Sequence, residues 1–207
     1  MNVNDFFKRN KRVVVFDTEY TTWEGALERN WSGEDEHREI FQLCALSVDL
    51  EHGEIVDSFE RFVYPRKNPL LSDYAKQLTN ITQEQVDHGV DFAEMYSDFL
   101  AWAHLLPLCS YDPFGSEHGD GNILKENIDL YKLDVPYSEH RYFNVAPLFN
   151  EAGIDVQNFT SGQLHTCFDV EVPGHVHDAL HDVHSLAISL IALQEPPSDI
   201  EEILRHR

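Results

Sequence analysis

Lys11-Arg12-Val13-Val14-Val15-Phe16-Asp17-Thr18-Glu19 decides the fold. The run is β-branched and almost wholly apolar, and it ends in two acids. Such a segment reads as a strand buried on both faces, the kind found centrally in an α/β sheet. Asp17 and Glu19 are two residues apart, so on a strand they share a face. Downstream, residues 23–38 break the pattern with Trp23, Gly25, Trp31 and Gly33, and read as a long insert loop. Ile40–Asp49 and Ile55–Tyr64 then read as two strands joined by Glu51-His52-Gly53, a hairpin beside the first strand. Thr82 with Gln85 forms a capping box. Phe92, Tyr96, Phe99, Leu100 and Ala103 recur at helical spacing after Asp91. Further on, the expectations are a strand over Leu105–Tyr111, a loop over Asp112–Gly121 and a helix over Asn122–Tyr131. A strand over Tyr142–Val145, a helix opened by Pro147, a second capping box at Thr160 and Gln163, and a helix over Ala179–Leu193 follow. A starting hairpin followed by alternating elements predicts an α/β fold: a mixed β-sheet with antiparallel, then parallel strands and helices on both faces. The reading is one domain over 1–207, with a core at 11–193 and a polar tail at 194–207.

The 207 residues carry 15 Lys and Arg against 37 Asp and Glu, a formal net charge of −22. With 42% hydrophobic residues this acidity does not signal disorder. It excludes a nucleic-acid coat protein, which needs a basic stripe against phosphates. Cys44, Cys109 and Cys167 form no CxxC pair and read as buried thiols in a reducing cytoplasm. No run approaches the roughly 20 apolar residues of a membrane span, and residues 1–9 lack the apolar core of a signal peptide. Neither membrane insertion nor secretion is expected.

Three features carry chemistry. Asp17 and Glu19 side by side repel unless a cation sits between them, and hard oxygen ligands suit Mg²⁺ or Mn²⁺. The plain alternative is a strand end turning into solvent. His177 and Asp182 are five residues apart, about 140° around a helix, so they converge only if His177 lies in the loop before the helix. Pro173-Gly174 and an N-cap at Asp178 support that placement. Asp120 precedes or starts a helix that follows a strand, and alone it reads as an N-cap. Asp112, directly after that strand, is its rival.

In this order, Asp-x-Glu, a mid-chain Asp and a final His-x-Ala-x-x-Asp resemble the DEDDh exonucleases of the ribonuclease H-like superfamily. Asp17-Thr18-Glu19-Tyr20-Thr21 is similar to that family's first motif. Leu78-Thr79-Asn80-Ile81-Thr82 is similar to its Leu-Thr-x-Ile-Thr segment. Leu108-Cys109-Ser110-Tyr111 ahead of Asp120 resembles the histone-mRNA exonuclease-like branch. The resemblance implies a 3′–5′ exonuclease in which Asp17, Glu19, Asp120 and Asp182 hold two Mg²⁺ or Mn²⁺ ions and His177 is the general base. It further implies substrate contacts at Thr18, Tyr20, Leu78 and Thr79, and single-stranded 3′ ends as substrate, RNA before DNA. It names no protein partner. Trp23 and Trp31 either stack on bases at the substrate mouth or pack the insert onto the body.

Two rival classes remain at this level. One is a non-catalytic nucleic-acid or protein binding module on the same fold. The other is a zinc hydrolase using His177 and His181 at i, i+4, which requires His177 inside the helix. For a nuclease, the net charge implies no long-range attraction of nucleic acid, local threading of the 3′ end, and a shallow salt dependence.

Overall fold

The computed structural model describes residues 2–115, 119–135 and 141–194. The expected polar tail beyond residue 194 lies outside them. A five-stranded sheet has the order β3-β2-β1-β4-β5. Its strands are β1 (Arg12–Tyr20), β2 (Ile40–Asp49), β3 (Glu54–Phe62), β4 (Leu108–Ser110) and β5 (Tyr142–Asn144). β1 pairs antiparallel with β2, β2 antiparallel with β3, and β4 runs parallel to both β1 and β5. This is the mixed ribonuclease H-like sheet expected from the sequence.

The alternation of β1 builds two cores. Val13 and Val15 point to one face, where α7 (Ala179–Ala192) packs with α6 (Ala146–Glu151) and α1 (Val3–Arg9). Val14 and Phe16 point to the other, against α4 (Phe92–Ala103) and α5 (Asp120–Leu130). Both faces are buried, so β1 shows no polar alternation until its acids. Between β3 and α4 lie two short helices, α2 (Asp73–Thr79) and α3 (Gln83–Asp87). The Thr82–Gln85 capping box opens α3.

The ladder of β1 to β2 runs through the acids, Asp17↔Cys44 and Glu19↔Gln42, as their expected place at the strand end requires. Three expectations need correction. β4 starts at Leu108 rather than Leu105, because Leu105 is exposed and Pro107 has no N–H for the ladder. The Thr160–Gln163 box opens a 3₁₀ segment, Ser161–Phe168. Cys167 is only half-buried, unlike Cys44 and Cys109. Helix α1 was not anticipated; Asn2 caps it and Phe6 anchors it in the core.

Candidate active site

The end of β1 opens into a cleft of about 560 Å³. The side-chain rule that sends Val13 and Val15 to the α7 face sends Asp17 and Glu19 the same way. There they meet Asp182, which lies in the first turn of α7. The Ser161 hydroxyl sits 3.2 Å from Asp17 Oδ1 and 3.1 Å from Asp182 Oδ2, bridging the two carboxylates. Thr18 points to the opposite face and reaches α5. Its backbone N–H (3.0 Å) and its hydroxyl (2.6 Å) both donate to Asp120 Oδ1. Gly119 occupies the N-cap of α5, so Asp120 is the first helical residue and not the cap. Asp112 turns away: its Oδ1 accepts the Phe114 N–H at 3.0 Å, and it does not line this cleft.

His177 lies in the turn before α7 with φ +72°. In that left-handed conformation its N–H donates to Asp182 Oδ1 at 3.2 Å. The Asp178 side chain caps α7 by accepting the Leu180 N–H at 3.1 Å. Ligand atoms of Glu19, His177 and Asp182 all come within 4.8 Å of one another. The zinc arrangement fails on this geometry. His177 is outside the helix, and the His181 ring is enclosed, with Nδ1 3.2 Å from Pro173 O and Nε2 3.0 Å from Gly162 O.

All four carboxylates are buried, and among the described residues no Lys or Arg lines the cleft. Burial pushes Asp17 and Glu19 well above the usual carboxylate range, and their acidic neighbours push them further. Burial also raises Asp120 to about 7 and Asp182 to about 6, against the hydrogen bonds from Thr18 and Ser161. His177 is lowered by burial and by His175, which keeps its imidazole neutral near pH 7. The Tyr20 phenol is raised by burial and by Asp120.

Aromatic and aliphatic side chains also line the cleft: Tyr20, Trp23, Leu27, Tyr74 and Leu78. Trp31 lines it too, stacked below the Arg38 guanidinium at 5.3 Å and tilted against Tyr20 at 5.7 Å. Thr79 does not reach the cleft. It is buried, with its hydroxyl donating to Ala75 O at 2.9 Å and accepting from the Ile81 N–H. Thr18 lines the cleft while its N–H and hydroxyl hold Asp120. Three residues that the sequence reading passed over shape the site. They are Ser161, Gly162, on which Asp182 packs, and His175, whose Nε2 sits 3.1 Å from Leu78 O and ties the His177 loop to α2. Only the capping box around Ser161 hinted at any of them.

Residues 14–190 match the model of a family described as Exonuclease. The chain is 33% identical over 94 residues to ERI1 exoribonuclease 2 of Xenopus laevis, covering 45% of this chain and 13% of that protein. It is 32% identical over 90 residues to the 3′-5′ exonuclease Snipper of Drosophila melanogaster, covering 44% and 31%. The chain thus matches well under half the length of either relative. Among solved structures, the nuclease domain of 3′hExo, a DEDDh family member bound to rAMP, superposes with a TM-score of 0.74. That match has 22% identity and covers 89% of this chain and 92% of that one.

Proposed function

The chain belongs to the exonuclease family that its residues 14–190 match, and from that premise we propose a metal-dependent 3′–5′ exonuclease acting on single-stranded RNA. One observation carries the reading. Four buried carboxylates from β1, α5 and α7 face one cleft with no Lys or Arg among its lining residues. Such a cluster stays protonated or holds cations. An all-oxygen donor set fits hard divalent ions, so Asp17, Glu19, Asp120 and Asp182 would hold two Mg²⁺ or Mn²⁺ ions. When bound, the ions acidify the attacking water and stabilise the leaving 3′-oxygen.

The chain's own residues supply the rest. His177, neutral near pH 7, takes the proton of the attacking water. Ser161 and Thr18 hold Asp17, Asp182 and Asp120 in register. The wall bearing Trp23, Tyr74 and Leu78 receives the terminal base, with Tyr20 beside it. RNA is preferred because the named relatives include an exoribonuclease.

The test incubates the protein with 5′-labelled single-stranded RNA and DNA in Mg²⁺, in Mn²⁺ and in EDTA. A ladder shortening from the 3′ end, abolished by EDTA and by Asp17→Asn, is the expected result. His177→Ala should reduce the rate by about 10²–10⁴-fold, the usual range for a lost general base. No shortening of either polymer in either metal would overturn the reading.

A further inference from the structure

We infer that this site recognises only the last one or two nucleotides of a single-stranded chain, so that short oligonucleotides are its preferred substrates. The inference rests on the exonuclease reading above and deepens it. A nuclease that acts along long chains needs cations to hold the phosphates behind the reacting one. Here no Lys or Arg is among the residues that line the cleft, and over half of the chain's 15 cations pair with the protein's own acids. Eight Lys and Arg side chains form ion pairs with Asp or Glu of the same chain. A ninth, Arg141, donates to the carbonyls of Ala103, His104 and Leu106.

The two cations nearest the cleft in sequence show the pattern. Arg29 in the insert binds Glu36 and the Glu24 carbonyl, and Lys76 on α2 binds Asp73 at 2.8 Å. The insert instead presents exposed Glu24 and Glu28 at the cleft. Their charges repel the phosphates of any chain that continues outward. The grip that remains is the acid cluster with the cations it would hold, and the apolar side chains of the cleft. A volume of about 560 Å³ lies in the range of pockets that enclose one ligand of small-molecule size. Short oligonucleotides are the residue of degradation of longer chains, so a reaction of that class, exo- or endonucleolytic, supplies the substrate.

The experiment measures kcat/KM for the first cleavage of a 5′-labelled oligoribonucleotide series of one composition, from dimer to hexadecamer, with Mg²⁺ at low and at moderate salt. The expected result is no increase with length. A loss below about tenfold between about 50 and 200 mM salt is expected as well, because only one or two phosphates are held. A rise with length of about tenfold or more, or a larger salt loss, overturns the inference while leaving the exonuclease reading intact. Failure to cleave any member overturns the exonuclease reading, and the inference with it. The double variant E24K/E28K is the positive control. It should raise the hexadecamer-to-dimer ratio of kcat/KM by about threefold or more, since each new cation captures a passing phosphate. An unchanged ratio counts against the repulsive rim.

Discussion

Asp182 has no room to move. A Cβ on Gly162 would stand 2.2 Å from Asp182 Oδ1 and 3.1 Å from Val176 Cγ1. Glycine at 162 is therefore a condition for where that carboxylate sits, and the Ser161 hydroxyl and the His177 N–H hold it from two other sides. Gly162→Ala should displace Asp182 and raise the Mg²⁺ concentration for half-maximal activity by about 10-fold or more. Overpacking should cost a further 1–3 kcal/mol or so in stability. A metal titration of activity beside a thermal melt checks both, and an unchanged metal requirement would show that Asp182 is not a ligand. His177 is the second constrained residue. A left-handed φ on a non-glycine residue costs on the order of 1–3 kcal/mol, which the Asp182 contact and the His175–Leu78 tie help to offset.

At the scale of elements, the site depends on how the 3₁₀ segment Ser161–Phe168 is fastened to α7. The fully buried Ser185 hydroxyl donates to Ser161 O at 2.6 Å and accepts the His165 N–H at 3.2 Å. Ser185→Ala strands both partners, at a cost of about 1–3 kcal/mol. The melting temperature should fall by about 2–4 °C per kcal/mol, and activity should drop with the loosened Ser161. An unaltered melt would remove this fastening from the account. The same elements show what the sequence could reveal. β2 matches its expected span and α7 does so to within a residue, because two-faced burial and helical periodicity are written in side-chain type. Spacing put Asp17 and Glu19 on one face and made a loop position for His177 a condition of its meeting Asp182, while the resemblance to a known family gave them their roles. The 3₁₀ geometry after Thr160 was hidden, since a capping box opens either kind of helix. Thr79 misled because a motif names a position and not a direction: its hydroxyl turns into α2. Gly162 gave no sign and Gly174 signalled only a turn, because close approach to Asp182 and to the His181 ring is not written in local sequence.

For the whole molecule, the carboxylate cluster sets a pH dependence with an unusual sign. Asp120 and Asp182 bind their protons more tightly in the folded chain, at about 7 and about 6, than their ordinary 3.8. Between those limits the folded state holds the extra protons, so without metal these groups weaken the fold as pH rises from about 4 to about 7. In EDTA the melting temperature should therefore fall across that window, by about 5 °C or more. Mg²⁺ or Mn²⁺ at pH 7.5 should restore it by mass action on the folded state. Asp182→Asn should flatten the decline, and a melting temperature that rises across the window in EDTA would refute this account. β1 has one more consequence. Its antiparallel partner β2 is supplied by the next stretch of chain, whereas its parallel partner β4 arrives from Leu108 and the helix bearing Asp182 from Ala179. Contacts of low sequence separation form first, because their loop-closure entropy is smaller. A chain emerging from the ribosome thus carries Asp17 and Glu19 first, Asp120 later, and His177 and Asp182 last of the five. Assembly of the proposed site is deferred until α7 has emerged, and no shorter nascent chain holds all five groups.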